Sequence, residues 1–295
     1  MVHNERNPYQ EQDIRSWRAF DSFEATSANC VYRGQGNSNW PLVTGYERCK
    51  RYHNPLYEKE MLHRFISQSG VYTTCMPNAT DYVSWFALMQ HYGAKTRLLD
   101  VTRSKYIALF FALEDMRSNN CCGAVWAIDM YGYNISLYNQ LLHSVSDDCI
   151  DTRCVPLASA LEEYKELGWR FANHYIVSDW EGRVSAQIAD DMVEKYKENM
   201  VPFLESGGLL EIVPQVRNMR MIAQAAEFLM PITLRKSFMK NLFCEAEGMK
   251  LFRPRVAKLI IHRECLNEML KKLNEMNITW QTVYPDLTGL AMSVN

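Results

Sequence analysis

Apolar positions along this chain change their spacing repeatedly, and each change marks a structural element. Ile14 to Phe23 predicts a helix. Cys30-Val-Tyr-Arg33 predicts a short strand running into the turn Gly34-Gln-Gly36-Asn-Ser-Asn39, where two glycines permit positive φ. Helical spacing returns at about Tyr57 to Ser67. It appears again from Tyr82 to Tyr92, with Asp81 as N-cap and Gly93 as the left-handed residue past the end. Thr96 to Val101 reads as a strand, Lys105 to Met116 as a buried helix, and Gly123 to Asp129 as a central strand.

From about 155 to 205 the pattern is mainly helical, with helices at Leu157 to Leu167 and Val184 to Asn199. Strand-like runs follow at Leu209 to Val213 and Val256 to Ile261. Met219 to Phe228 is rich in helix formers and poor in β-branched residues, which favours a helix or a helix-opening turn. The end of the chain alternates a helix (Arg263 to Met276, closed by Asn277), a strand (Ile278 to Tyr284) and a short turn or helix at Asp286 to Ala291. Short strands scattered among helices without a βαβ rhythm predict an α+β fold: one domain of small mixed or antiparallel sheets with surrounding helices. No internal repeat, low-complexity tract or linker divides it.

Composition narrows the class. The 295 residues are 47% hydrophobic and 22% charged, with 7 Trp, 16 Tyr and 12 Phe, the balance of a folded globular chain. A formal charge of −2 exerts no general pull on nucleic acid or anionic membrane, so nucleic acid is disfavoured as a partner and any anion site must be local. The longest apolar run, Tyr106 to Leu113, is too short to span a bilayer. The nine cysteines form no CxxC and read as reduced thiols. With a polar N-terminus, that usage predicts a cytoplasmic protein. The seven histidines lack ligand spacing, so no metal is expected. Walker, GxGxxG, HExxH and Gly-x-Ser-x-Gly motifs are absent. The methionines of Met219 to Met230 read as core packing.

Two stretches carry candidate chemistry. In Val31-Tyr32-Arg33-Gly34-Gln35 an arginine at a strand end presents a planar fork beside a glycine, an arrangement suited to phosphate or carboxylate; the alternative is a core arginine paired with an acid. The second stretch runs from Gln90-His91-Tyr92-Gly93 through Arg97, Asp100, Thr102 and Arg103 to Ser104. It ends one helix, forms a strand and opens another helix. Hydroxyls at the helix start, flanked by arginines, make an anion cradle. Here too a plainer reading stands: Ser104 only caps, Asp100 pairs with Arg33 or Arg97, and His91 sits at a helix C-terminus.

These stretches resemble the FRG domain family. The likeness rests on Tyr32-Arg33-Gly34-Gln35 with Trp40-Pro-Leu42 and Arg48, Gln90 to Gly93, Thr96-Arg-Leu-Leu-Asp100-x-Thr102, Ala108 to Ala112, Arg220-x-x-x-Gln224-x-x-x-Phe228, and Tyr284-Pro-Asp-Leu-Thr-Gly-Leu290. It implies an FRG domain over residues 28–292 preceded by an N-terminal helix or extension, 1–27. The chain departs from the family where it has Tyr32 for Phe, Lys95 for Pro, Val101 for Trp and Ala226 for Gly. The last departure implies that no positive φ is required at 226.

The order of elements is also similar to that of ADP-ribosyltransferases. That likeness implies a small anionic or nucleotide ligand, with NAD a candidate substrate and no permanently bound cofactor. It assigns ligand binding to Tyr32, Arg33, Gln35, Gln90, His91, Tyr92, Arg97, Asp100, Thr102, Ser104 and Arg220, and catalysis to Gln224 or Glu227. Glu245-Ala-Glu247 is a weaker match to the Glu-x-Glu of some transferases. Breaking the N-glycosidic bond builds positive charge on ribose, so a nearby carboxylate helps. The rival reading gives the same pocket to a non-catalytic sensor or a protein-interaction module. If the site is one cleft, Arg33, Asp100, Ser104 and Gln224 meet in it.

Overall fold

One seven-stranded sheet organises the chain, in the order β1-β7-β4-β2-β3-β6-β5. The strands are β1 (Gln10–Ile14), β2 (Cys30–Gln35), β3 (Leu99–Thr102), β4 (Gly123–Asp129), β5 (Leu209–Ile212), β6 (Ala226–Pro231) and β7 (Arg255–Ile261). The helices are α1 (Trp17–Asp21), α2 (Pro55–Ser69), α3 (Tyr82–His91), α4 (Lys105–Ser118), α5 (Tyr131–Leu142), α6 (Leu157–Glu181), α7 (Asp191–Ser206), α8 (Met219–Ala223), α9 (Phe238–Leu242), α10 (Leu266–Glu275), α11 (Trp280–Val283) and α12 (Leu287–Ser293). This computed structural model describes residues 8–49, 54–142, 157–185, 191–213, 217–244 and 254–294, apart from positions 26, 28, 75, 119 and 184. The fold is α+β, as expected, but its strands join one mixed sheet instead of several small ones. Among the described residues, only β1 runs parallel to its neighbour; the other pairings are antiparallel.

Helices cover both faces. On one side Tyr32, Val125, Ala127, Leu259 and Ile261 pack against Ala108, Leu109, Ala112 and Met116 of α4 and Met269 and Leu273 of α10. On the other, Val31, Trp126, Ile128 and Leu229 pack against Leu62 of α2, Phe86 of α3, Tyr175 of α6 and Phe203 of α7. Helix α4 lies almost on the backbone of β2. A Cβ at Gly34 would stand 1.9 Å from the Ala108 carbonyl oxygen. The glycine after Arg33 therefore makes room for a helix, not for positive φ, and Gly34 is absent from the residues that have it.

Several expected elements differ. The predicted N-terminal helix shrinks to α1, and the segment before it is strand β1. Only Ile14 of that strand is buried, so its polar sequence hides a pairing that β7 imposes from the far end of the chain. Ile278 to Tyr284 is not a strand. Thr279 and Thr282 form a reciprocal capping box that starts α11, and the local cap outweighs the β-branched composition. Met219 to Phe228 is not one helix. It breaks at Gln224–Ala225 into α8 and β6, where Ala225 takes φ 45°. The positive φ sits one residue before the Ala226 that replaces the family's glycine. Asp81 does cap α3, accepting from Ser84 N, and Gly93 is left-handed. Glu245 and Glu247 lie outside the described residues.

Candidate functional site

Strands β2 and β3 pair at one position, Tyr32 with Thr102. Beyond it they part. β2 continues along β4, and the earlier residues of β3 lie along β6. The gap is spanned by a side chain: Arg33 Nη1 donates to the Asp100 carbonyl oxygen at 2.8 Å and lies 3.4 Å from Asp100 Oδ2. Asp100 Oδ1 accepts from Gln90 Nε2 at 2.7 Å, and Gln90 Oε1 accepts in turn from the Thr96 hydroxyl. The split is thus held at a fixed width by an arginine, an aspartate and the last turn of α3. Arg33 Nε is buried and finds no hydrogen-bond partner among the described residues.

A cavity of about 270 Å³ opens over this split. Alternation sends Tyr32, Asp100, Thr102, Ala226 and Phe228 to the same side of the sheet. Phe111 and Asp115, one turn apart on α4, form a second wall. Arg220, Met221 and Gln224 come from α8, Asn218 from its N-cap, His91 and Ala87 from α3, and Tyr284 from the end of α11. The Arg220 guanidinium lies over the Tyr284 ring, 4.2 Å from its centroid, a cation–π contact that fixes both at the mouth. Burial raises the Tyr284 phenol above its ordinary value, and Arg220 pulls the other way. The Thr102 hydroxyl donates to the Gln224 carbonyl oxygen at 2.7 Å and accepts from Ser104 N at 3.1 Å. Gln224 Nε2 donates to the Val283 carbonyl oxygen at 3.2 Å, tying α8 to α11.

The cavity brings together Tyr32, Arg33, Gln90, His91, Asp100, Thr102, Arg220 and Gln224 of the residues named from sequence. The others lie elsewhere. Ser104 caps α4, accepting from Ile107 N at 3.3 Å. Tyr92 is exposed, with its ring edge-on to His91. Gln35 is buried in the opposite core, where it donates to the Pro41 carbonyl oxygen and accepts from Trp126 Nε1 at 2.7 Å.

Arg97 is fully buried. Its Nε donates to both Glu58 oxygens at 2.9 Å, and its Nη2 also reaches Asp179 at 3.2 Å. Trp180 Nε1 bonds the same Glu58, while Thr233, Leu234 N and Arg235 bond Asp179. This network clamps α2 and α6 to the β3 side of the core. The two arginines look alike in sequence, and here one reaches across the split while the other is locked inside.

Glu227 is buried on the reverse face of β6. Its carboxylate lies 2.8 Å from Arg103 Nε, and Arg103 also pairs with Glu211 of β5, which accepts from Asn134 Nδ2. Because 224–228 breaks into a turn and a strand, Gln224 and Glu227 do not share a face. Residues that the sequence did not single out complete the site: Phe111, Asp115, Asn218 and Tyr284. Phe111 and Tyr284 did stand within family motifs, and Asp115 was reachable as the next turn after Phe111.

The profile of the FRG domain family matches residues 28–121, which supply β2, β3, α3 and α4. That segment is an FRG domain. No curated protein and no solved structure matches it. Within the matched segment, the Tyr-Arg-Gly of the FRG domain is the strand edge under α4, and its Gln90 and Asp100 hold the split open. Arg220, Gln224 and Tyr284 reach the same cavity from outside the matched segment.

Proposed function

We propose that the cleft between β2 and β3 binds a nucleotide, NAD or a relative of it, with one heterocycle and its ribose in the cavity and phosphate at Arg33 and Arg220. The observation that carries this is the Arg33 guanidinium at the split, one nitrogen on the Asp100 carbonyl and another buried without a partner. An arginine fork with spare donors is suited to phosphate oxygens. Tyr32, Phe111, Phe228 and Tyr284 provide the flat apolar surfaces that a base or nicotinamide ring needs. At about 270 Å³ the cavity falls just below the roughly 300–1,000 Å³ that encloses a drug-sized ligand. Half of a dinucleotide fits inside, and the other half would lie along His91 and Asn218 at the rim.

Binding without turnover is the reading favoured over catalysis, because Glu227 faces the other side of the sheet and pairs with Arg103. The polar residue of that motif nearest to it in the cavity is Gln224, which cannot supply a negative charge to a ribosyl cation. Asp100 and Asp115 are the carboxylates that line the cavity. If NAD is cleaved, one of these two acts. Titration calorimetry with NAD, ADP-ribose and ATP, on the wild type and on Arg220→Ala, tests the reading. Heat with at least one of them that disappears in the variant supports it; no heat with any of the three overturns it.

A further inference from the structure

A second array of reactive side chains lies at the rim of the sheet, built by three neighbouring strands. Asp13 is on β1, His262 directly follows β7, and Cys122 directly precedes β4. Gly123 pairs with Ile261, so the next step of that antiparallel register brings Cys122 beside His262. The His262 backbone N donates to the Ile14 carbonyl oxygen at 3.1 Å, which anchors the ring beside β1. His262 Nε2 is 2.7 Å from Asp13 Oδ1, and His262 Nδ1 is 3.9 Å from Cys122 Sγ.

The order matters. A carboxylate on Nε2 holds the proton there and leaves the Nδ1 lone pair facing the thiol. The Asp13 carboxyl is held below its ordinary value, first by its hydrogen bond with His262. Nucleophile, base and orienting acid thus stand in sequence, with the thiol able to pass its proton to the ring. Other groups nearby are accounted for. Arg15 pairs with Glu264 at 2.8 Å, Glu268 accepts from Trp17 N, and Arg263 donates to the Met116 carbonyl oxygen. The Cys121 thiol bonds the Gly36 carbonyl oxygen, and the Cys265 thiol is buried and raised.

We propose that Cys122 is a nucleophilic thiol that exchanges with low-molecular-weight disulfides, with His262 as its base and Asp13 positioning the imidazole. The Cys122 proton moves to His262 Nδ1 and the thiolate attacks one sulfur of R–S–S–R. The S–S bond breaks, and the departing R–S⁻ takes the proton from the imidazolium. Cys122 ends as a mixed disulfide beside one free R–SH, with no net oxidation. Cys122 and His262 are half-buried, which suits a small reagent more than a folded protein. Three of the other thiols provide internal contrast: burial pushes Cys30 up to about 12 and raises Cys244 and Cys265, so these three stay protonated.

The test uses the intact protein with oxidised glutathione, following adducts by peptide mass mapping. The adduct is expected on Cys122, to vanish in Cys122→Ser and to persist in Cys121→Ser. In His262→Gln its rate at pH 7 should fall about tenfold, because the base that takes the thiol proton is gone. The gap between the two rates should narrow as rising pH lets hydroxide take the proton in place of the imidazole, a difference that a purely structural histidine would not produce. Asp13→Asn, altered at the exposed end of the array, gives the same reading if His262→Gln lowers the melting midpoint. Equal labelling of several cysteines, or an unchanged rate in a folded His262→Gln, overturns the proposal.

Discussion

The Arg33 guanidinium and the Asp100 backbone carbonyl meet at 2.8 Å where the sheet's own ladder is missing. A side chain thus stands in for a strand-to-strand hydrogen bond, and it does so at the floor of the cleft. The pairing is partly exposed, with 24% of the Arg33 side chain and 56% of the Asp100 side chain accessible. Pairs of that kind contribute about 0–1 kcal/mol. Arg33→Ala is therefore expected to fold with a nearly normal melting midpoint. Its affinity for whichever of NAD, ADP-ribose or ATP binds the wild type should fall about 10–100-fold, the value of a charge-assisted hydrogen bond. Calorimetry and thermal melts on the same sample read both.

Arg97→Ala has the opposite profile. It leaves the buried Glu58 with Trp180 Nε1 and, among the described residues, no cation, while Asp179 keeps Arg235, and such an uncompensated buried charge costs about 3–5 kcal/mol. Urea unfolding should show that loss, while the remaining folded fraction binds the nucleotide with wild-type affinity.

Glu227→Gln should leave ligand affinity unchanged, because the residue faces Arg103 on the reverse of the sheet. A fall in affinity measured by calorimetry would return Glu227 to the site.

Glu211 makes stability depend on pH. Burial first, and the neighbouring Glu227 after it, raise its carboxyl to about 7, against the pull of Arg103. A carboxyl whose folded value lies above its unfolded one binds more protons in the folded state, so its contribution is favourable at low pH. That contribution is lost as pH rises from about 4.5 toward 7. Glu211→Gln removes the titration. Between pH 5 and 7 the wild type should lose stability relative to the variant, which paired denaturant melts would detect.

Ala225→Gly should stabilise the fold. Ala225 holds φ 45° at the turn between α8 and β6. A left-handed conformation costs an L-residue about 1–2 kcal/mol, partly offset by the greater unfolded-state freedom of glycine. A rise of about 2 °C in melting midpoint is expected.

Legibility followed the range of the forces involved. The cap at Asp81, the buried α4 and the strand β4 are decided by residues next to one another, and the sequence shows them. β1 is decided by β7, whose partner positions stand at the other end of the chain, and no local pattern reveals it. In the site, Arg33, Asp100 and Gln90 were legible because each stands in one of the polar motifs that interrupt the apolar runs. Arg97 and Glu227 have the same residue types, yet alternation along β6 and a buried acid behind β3 turn them away. Tyr284 lay in a visible motif, but what brings it to the cavity is α11, started by a threonine cap in a stretch whose composition suggested a strand.

The strand order also dictates a timetable. Gln10 pairs with Ala257, so β1 leaves the ribosome long before the strand it pairs with. At about 5–20 residues per second, that interval is roughly 12–50 s. Among the described residues, the strands of the matched segment 28–121 are β2 and β3, which touch at a single pair, and their main partners β4 and β6 are translated later. Excised at those limits, it would present two strands with nothing to zip against. The cleft residues of this segment therefore take their places late in assembly, once the second half of the chain has closed the sheet around them.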